Sequence, residues 1–332
     1  MAQIGRENLI ICGNTAEGVS SSDIRAQKRE LQIGMVGDSN ILKKFKKECG
    51  YVNGAHIQGI CSSNPSLRGL APFFTDDYKT LLERVDAVYL VSHPQFHAGQ
   101  IETALRYGKH VICESPITMD AKQCESLFQL AESSNLVLME GIKTAYSTAY
   151  NRLLLLVKSG CIGSVASVDA TCTSLMLTGK QPREAWSSIC SWGPIALLPI
   201  FQILGINYRD KRITTCYLDE NTKFDRFTKI EFGKGIKSEG ELIISGTGGY
   251  IYVPAPWWKM DYFEIRFENP SNNKRYFYQL DGEGMRYEIV SFLQAIEKKS
   301  TGAYIEQKIS MAISGLIGDY MAERDLSKII IL

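Results

Sequence analysis

The chain has 332 residues, 45% of them hydrophobic and 22% charged, with a formal net charge of +1. That length suits two domains with ample core, and the charge balance excludes the electrostatic footprint of a nucleic-acid or acidic-membrane binder. Nine scattered cysteines without a Cys-x-x-Cys pair, and only four histidines, point to reduced thiols and no metal site. With no apolar run of signal or membrane-spanning length, a cytoplasmic protein is expected.

Residues 1–30 read as an extension before the first strand of the fold. Within it Ser20-Ser21-Ser22-Asp23 can cap a short helix. The text Gly18-Val19-Ser20-Ser21-Ser22-Asp23-Ile24-Arg25 also resembles the C-terminal turn of cytidylyltransferase-type nucleotidyltransferases. The apolar run Leu31–Gly37 predicts a first β-strand, leading into a helix that carries Lys43, Lys44, Lys46 and Lys47 on a solvated face. In the dinucleotide fingerprint G-x-G-x-x-G/A this turn would hold Gly37, Ser39 and Leu42, so only the first glycine is kept. Gly37, Ser39, Asn40 and Ile41 are the expected phosphate-side contacts. A second strand over residues 56–61 ends at Ser62-Ser63-Asn64, where an NAD enzyme usually places an acid for the ribose hydroxyls. Ser62 and Ser63 fit NADP better than NAD, with Arg68 as the 2′-phosphate partner; they also fit a site that binds neither, and NADP is the expectation.

Asp86 through Ser92 predicts a further buried strand that stops at Pro94. Ser92, His93 and Pro94 would then face a nicotinamide, and His97 opens the next helix. His97 reads first as a packing or capping group, and His93 as the histidine placed to meet a ligand. Gly108-Lys109-His110-Val111-Ile112-Cys113-Glu114-Ser115-Pro116 reads as another strand. It puts Glu114 and Ser115 at its carboxyl end, where ligands bind in such sheets. A helix from Asp120 to Ser133 and a strand over 136–140 complete the pattern, followed by Lys143 and Tyr146 at the crossover. Val165–Cys172 alternates as a strand, and from there β-branched strands dominate, near 213–219, 226–233, 240–246, 250–253, 262–268 and 275–280. Helices follow near 283–298 and 306–322.

Several of these phrases resemble the glucose–fructose oxidoreductase / inositol dehydrogenase (Gfo/Idh/MocA) family. They are the Gly108–Pro116 strand, the Asp86–His97 strand and turn, Ser159-Gly160-Cys161-Ile162-Gly163, Ile244–Pro254 and Gly282–Ile289. The resemblance implies an α/β fold: a Rossmann dinucleotide-binding domain over 31–145, then an α+β domain over 146–332 with an open, mainly antiparallel sheet. It further implies NADP or NAD as cofactor, a small sugar-like substrate, and a homodimer or larger oligomer through the second sheet.

The same resemblance locates the proton-handling groups of the family, a lysine after Glu114 and an Asp-x-x-x-His or Asp-x-x-x-Tyr pair in the second domain. Here those positions hold Ser115, Ser191 and Ile195. No histidine follows His110, and loss of a positioned acid or base typically costs on the order of 10²–10⁴ in rate. Lys143, His93 and Tyr146 are the candidate substitutes. Trp257-Trp258 reads as packing at a sheet edge or as a sugar-stacking wall. Two functions stay open: an NAD(P)-dependent oxidoreductase with altered proton handling, or a catalytically inactive oxidoreductase-like domain that binds a nucleotide or sugar or scaffolds a partner enzyme such as a cytidylyltransferase.

Overall fold

A computed structural model describes residues 30–174, 188–209, 211–217, 225–229, 232–234, 240–299, 304–324 and 326–330. The extension expected over 1–30, with its nucleotidyltransferase-like turn, lies outside the described residues except for Glu30.

The first half builds a parallel sheet from β1 (Leu31–Gly37), β2 (Ala55–Cys61), β3 (Phe73–Thr75), β4 (Ala87–Val91), β5 (His110–Glu114) and β6 (Leu138–Gly141). Their order is β3-β2-β1-β4-β5-β6, and every neighbouring pair is parallel. Parallel strands covered on both faces need continuous apolar sequence rather than alternation. β4 meets that demand, with all five residues buried. The three-residue β3 is too short to carry a pattern, and sequence reading passed it over.

Helices cover the two faces: α1 (Ile41–Cys49), α2 (Tyr78–Leu82), α3 (Pro94–Arg106) and α4 (Ala121–Ser133). In α4, Cys124, Leu127, Phe128 and Ala131 form the buried stripe, and the Asp120 carboxylate caps the helix by accepting from the Gln123 N–H at 2.8 Å. Fully buried Tyr89 of β4 stacks on Phe45 of α1 with ring centroids 3.8 Å apart.

After α5 (Lys143–Tyr146) and α6 (Thr148–Lys158) come β7 (Val165–Ala170), β8 (Cys172–Ser174) and α7 (Ser188–Leu204). The remaining elements are β9 (Ile213–Tyr217), β10 (Asp225–Lys229), β11 (Phe232–Lys234), β12 (Leu242–Gly246), β13 (Tyr250–Val253), β14 (Tyr262–Arg266) and β15 (Lys274–Phe277), then α8 (Met285–Lys298), α9 (Gln307–Met321) and β16 (Leu326–Ile330). They form two sheets, β15-β14-β13-β12-β7, antiparallel throughout, and β16-β9-β10-β11-β8, of mixed sense. The single strand expected over 226–233 is two antiparallel strands, β10 and β11, and the strand expected over 165–172 divides into β7 and β8.

Candidate functional site

Strand order reverses direction between β1 and β4, and ligands of open α/β sheets bind at such a switch point, beyond the carboxyl ends of the strands. A cleft of about 720 Å³ lies there, lined by residues that include Gly37, Asp38, Ser39, Asn40, Ser62, Ser63, Asn64, Ser92 and His93. Gly37 has φ +128°, and a Cβ there would lie 2.2 Å from the Val91 carbonyl oxygen. The glycine is therefore required for β1 and β4 to close on each other as well as for ligand approach. Among the candidate cofactor contacts, Gly37, Ser39, Asn40, Ser62, Ser63, Ser92 and His93 line this cleft. Ile41, Pro94 and His97 do not.

His97 is completely buried. Its Nδ1 lies 2.8 Å from the Pro116 carbonyl and its Nε2 2.9 Å from the Ser92 carbonyl. It fastens the turn after β4 to the turn after β5, and burial pushes its pKa below the usual imidazole value. Arg68 likewise stays outside the lining: its guanidinium lies over the Phe74 ring, 5.2 Å from the centroid.

The sequence places Asp38 as a negative charge beside the phosphate site, but it does not show which groups that carboxylate reaches. Its Oδ1 accepts from the Ser62 hydroxyl (2.6 Å), the Ser63 N–H (2.8 Å) and the Asn64 N–H (3.1 Å), and its Oδ2 from the Ser63 hydroxyl (2.7 Å). Partial burial alone would raise its pKa, but these donors outweigh that and hold it below the ordinary carboxylate value. The polar end of β2, expected to be free for a ribose phosphate, is bonded to a carboxylate of the chain itself.

One strand along, at the ends of β5 and β6, a second pocket of about 310 Å³ is lined by Glu114, Ser115, Lys143, Thr144, Ser191, Trp192, Ile195, Trp258, Lys259 and Glu283, among others. Ser115, Ser191 and Ile195 come from β5 and α7 and are far apart in sequence, yet they converge on this one space. Three of the lining residues are held by hydrogen bonds. The Ser115 hydroxyl donates to Glu140, Tyr89 donates its phenolic proton to Glu114, and the Thr144 hydroxyl donates to the Trp258 carbonyl at 3.0 Å. Trp258 meets Trp192 with ring centroids 4.8 Å apart, whereas Trp257 is buried and donates its indole N–H to the Thr171 carbonyl at 3.0 Å. Of the two tryptophans, then, only Trp258 faces the pocket.

Glu283 sits at the rim with φ 54°, a conformation uncommon for a non-glycine residue. It pairs with Lys44 of α1 and, at 3.0 Å, with Lys259. Burial raises its pKa, but the two lysines prevail and the net direction is down. Lys44 is thus not part of a purely solvated face.

Of the three candidate substitutes, Tyr146 is buried and donates its hydroxyl to the Glu140 carbonyl at 2.6 Å, outside the lining of either space, and the other two do not meet. Lys143 lines the smaller pocket and His93 the larger cleft. The His93 Nδ1 accepts from the Gln95 N–H at 3.3 Å, capping α3, and burial lowers its pKa. Beneath the pocket lies Glu288 of α8, with no exposed surface and no hydrogen-bond partner for either carboxylate oxygen. Burial first, and the Glu114 charge second, push its pKa well above the carboxylate range, with Lys143 pulling the other way. Helical spacing from Met285 to Ile289 and Phe292 places residue 288 on the buried stripe, and that signal was readable. Among the described residues no cluster of His, Cys, Asp or Glu could hold a metal ion, and no helix is long and apolar enough to cross a membrane.

Residues 31–142 match the sequence model of the Gfo/Idh/MocA oxidoreductase family, NAD-binding Rossmann fold. A dTDP-3,4-didehydro-2,6-dideoxy-α-D-glucose 3-reductase of Streptomyces violaceoruber is 35% identical over 153 residues, covering 44% of this chain and 45% of that protein. The match to its counterpart in Actinomadura kijaniata, 39% identical, covers 30% of each, so the aligned stretches span less than half of these reductases. A scyllo-inositol 2-dehydrogenase (NADP(+)) of Bacillus subtilis is 28% identical over 53% of this chain and 58% of its own length. In three dimensions, a 3-ketoreductase of Actinomadura kijaniata in complex with NADP and TDP-benzene superposes with a TM-score of 0.77. The superposition covers 92% of this chain and all of that one at 18% identity, which establishes a shared fold.

Proposed function

The chain belongs to the Gfo/Idh/MocA oxidoreductase family, and from that premise we propose that it is an NAD(P)-dependent oxidoreductase acting on a sugar-nucleotide or similar sugar-like substrate, with its proton handled outside the family's usual positions. The observation that carries this reading is the pairing of two spaces on neighbouring strand ends. One is a polar cleft of dinucleotide size at the switch point; the other is a smaller pocket at Glu114 and Ser115. The cleft fits the cofactor: it is open, its walls are short polar side chains, and glycine occupies the closest approach.

A bound nicotinamide supplies or accepts the hydride. The rest is done by this chain. Trp192 and Trp258 offer apolar faces for a sugar ring, and Lys143 and Lys259 offer cations for its phosphates or its reacting oxygen. Lys143 is the group we assign to polarise that oxygen. Ser115 does not replace the missing lysine, because its hydroxyl is committed to Glu140, and Ile195 has no proton to give.

That last pair of facts favours a second reading, a domain that binds cofactor and sugar without turnover. Kinetics with NADH and NADPH against a panel of keto-sugar nucleotides separates the two. The enzyme reading expects oxidation of the reduced cofactor, and Lys143→Met should lower turnover about 10²-fold while cofactor affinity stays within about twofold of the native value. Tight binding of both ligands with no turnover on any substrate gives the second reading.

A further inference from the structure

We propose that Asp38 is the cofactor-specificity residue of this cleft and makes it selective for NAD(H) over NADP(H). The inference rests on the reading of the cleft as a dinucleotide site and adds which dinucleotide it takes.

An NADP site needs donors and positive charge for a 2′-phosphate, whereas an NAD site needs an acceptor for ribose hydroxyls. In a sheet of this order the end of β2 supplies one or the other. Here Ser62, Ser63 and Asn64 present two hydroxyls and two backbone N–H groups, which by themselves make a small anion nest. The nest is already filled. Asp38 crosses from the end of β1 and takes all four donors, so an incoming phosphate would find its partners consumed and a fixed negative charge in their place. Arg68, the cation expected to partner a 2′-phosphate, is exposed and lies over Phe74 instead.

The same arrangement suits a ribose diol. Oδ1 accepts three bonds and is saturated, but Oδ2 accepts only one, from the Ser63 hydroxyl. A carboxylate has about two acceptor sites per oxygen, so Oδ2 keeps capacity for a hydroxyl donor. The acid that an NAD enzyme carries at the end of β2 is therefore supplied from the end of β1, which explains why the β2 sequence alone suggested the opposite preference.

Titration of the purified full chain with NADH and with NADPH, followed by nicotinamide fluorescence, tests this without any turnover. The NADH dissociation constant should be at least about tenfold the smaller, since like-charge juxtaposition is costly. Adenosine 5′-monophosphate should likewise displace NADH better than adenosine 2′,5′-bisphosphate, a comparison that needs no variant. Asp38→Ala frees the nest and should shift the NADH/NADPH ratio at least about fivefold toward NADPH. Equal or tighter binding of NADPH by the native chain overturns the inference and leaves the cleft assignment standing. Failure of both cofactors to bind overturns the two together.

Discussion

Glu288 shows how much one side chain can impose on the pocket. A carboxyl with no exposed surface and no hydrogen-bond partner is costly as an anion and much less so as an acid. Its pKa rises for that reason, so the folded state holds a proton that the unfolded chain releases near the ordinary value of 4.5. The folded form therefore binds more protons above that pH. The group's favourable contribution is complete below 4.5 and declines as pH rises toward the elevated folded value. Buried Glu140, raised chiefly by burial as well, acts in the same direction. Glu288→Gln removes one of the two titrations. The stability of this variant relative to the native chain should increase with pH above 4.5, by up to about 1.4 kcal/mol per unit while only the folded state keeps the proton. Urea midpoints between pH 5 and 9 measure it, and a difference that does not change with pH would remove the case for a protonated Glu288.

At the level of elements, the site depends on how β1 turns into α1. Gly37 lets the strand end pass within contact of Val91, and an alanine there would combine φ +128° with a 2.2 Å approach to a backbone carbonyl. Gly37→Ala should cost on the order of 1–3 kcal/mol and weaken NADH binding, read as a lower urea midpoint and a raised dissociation constant; an unchanged midpoint would mean that β1 and β4 tolerate separation. This glycine was legible because it ends an apolar run at the first position of a known turn. The strand ends at Val91 and Glu114 were legible for a similar reason, each being an apolar run stopped by a proline two or three residues on. The charge of Asp38 beside the phosphate site was legible too, but its partners were not, because all four side-chain bonds reach residues 24 to 26 positions away and no local period marks them. Nor was the convergence of Ser191 with Ser115 derivable from spacing, since α7 carries two prolines and 16 of its 17 residues are uncharged apolar or small. That composition gives a helix buried nearly all round rather than a readable face.

Across the whole molecule, the question is what holds the parallel sheet's side of the pocket to the side built by α7 and α8. The turn before α8 answers part of it. Glu48 of α1 is 5% exposed and accepts from Arg286 of α8 at both Nε (3.2 Å) and Nη2 (3.0 Å). Arg286 also lies over the Tyr51 ring, 4.4 Å from its centroid, and its Nη1 is 3.5 Å from Asp281. Gly282 approaches the same carboxylate so closely that a Cβ would lie 2.4 Å from Glu48 Oε2. Lys44 and Glu283 add a second bridge one turn away. At the opposite end α9 returns to α4, where Gln307 donates to Glu132 at 2.7 Å and a Cβ on Gly318 would lie 2.4 Å from the Met119 carbonyl. Direct contacts thus join the parallel sheet's helices α1 and α4 to α8 and α9. Arg286→Ala leaves the Glu48 carboxylate buried beside a glycine that cannot shield it. The loss should be roughly 1.5–3 kcal/mol, the range for hydrogen bonds to a charged group. Glu48→Gln together with Arg286→Ala should cost less than the sum of the single changes, because Glu48→Gln removes the charge that Arg286→Ala leaves stranded. A double-mutant cycle by urea unfolding reads the coupling directly; strict additivity would mean that the pair contributes no more than two independent side chains do.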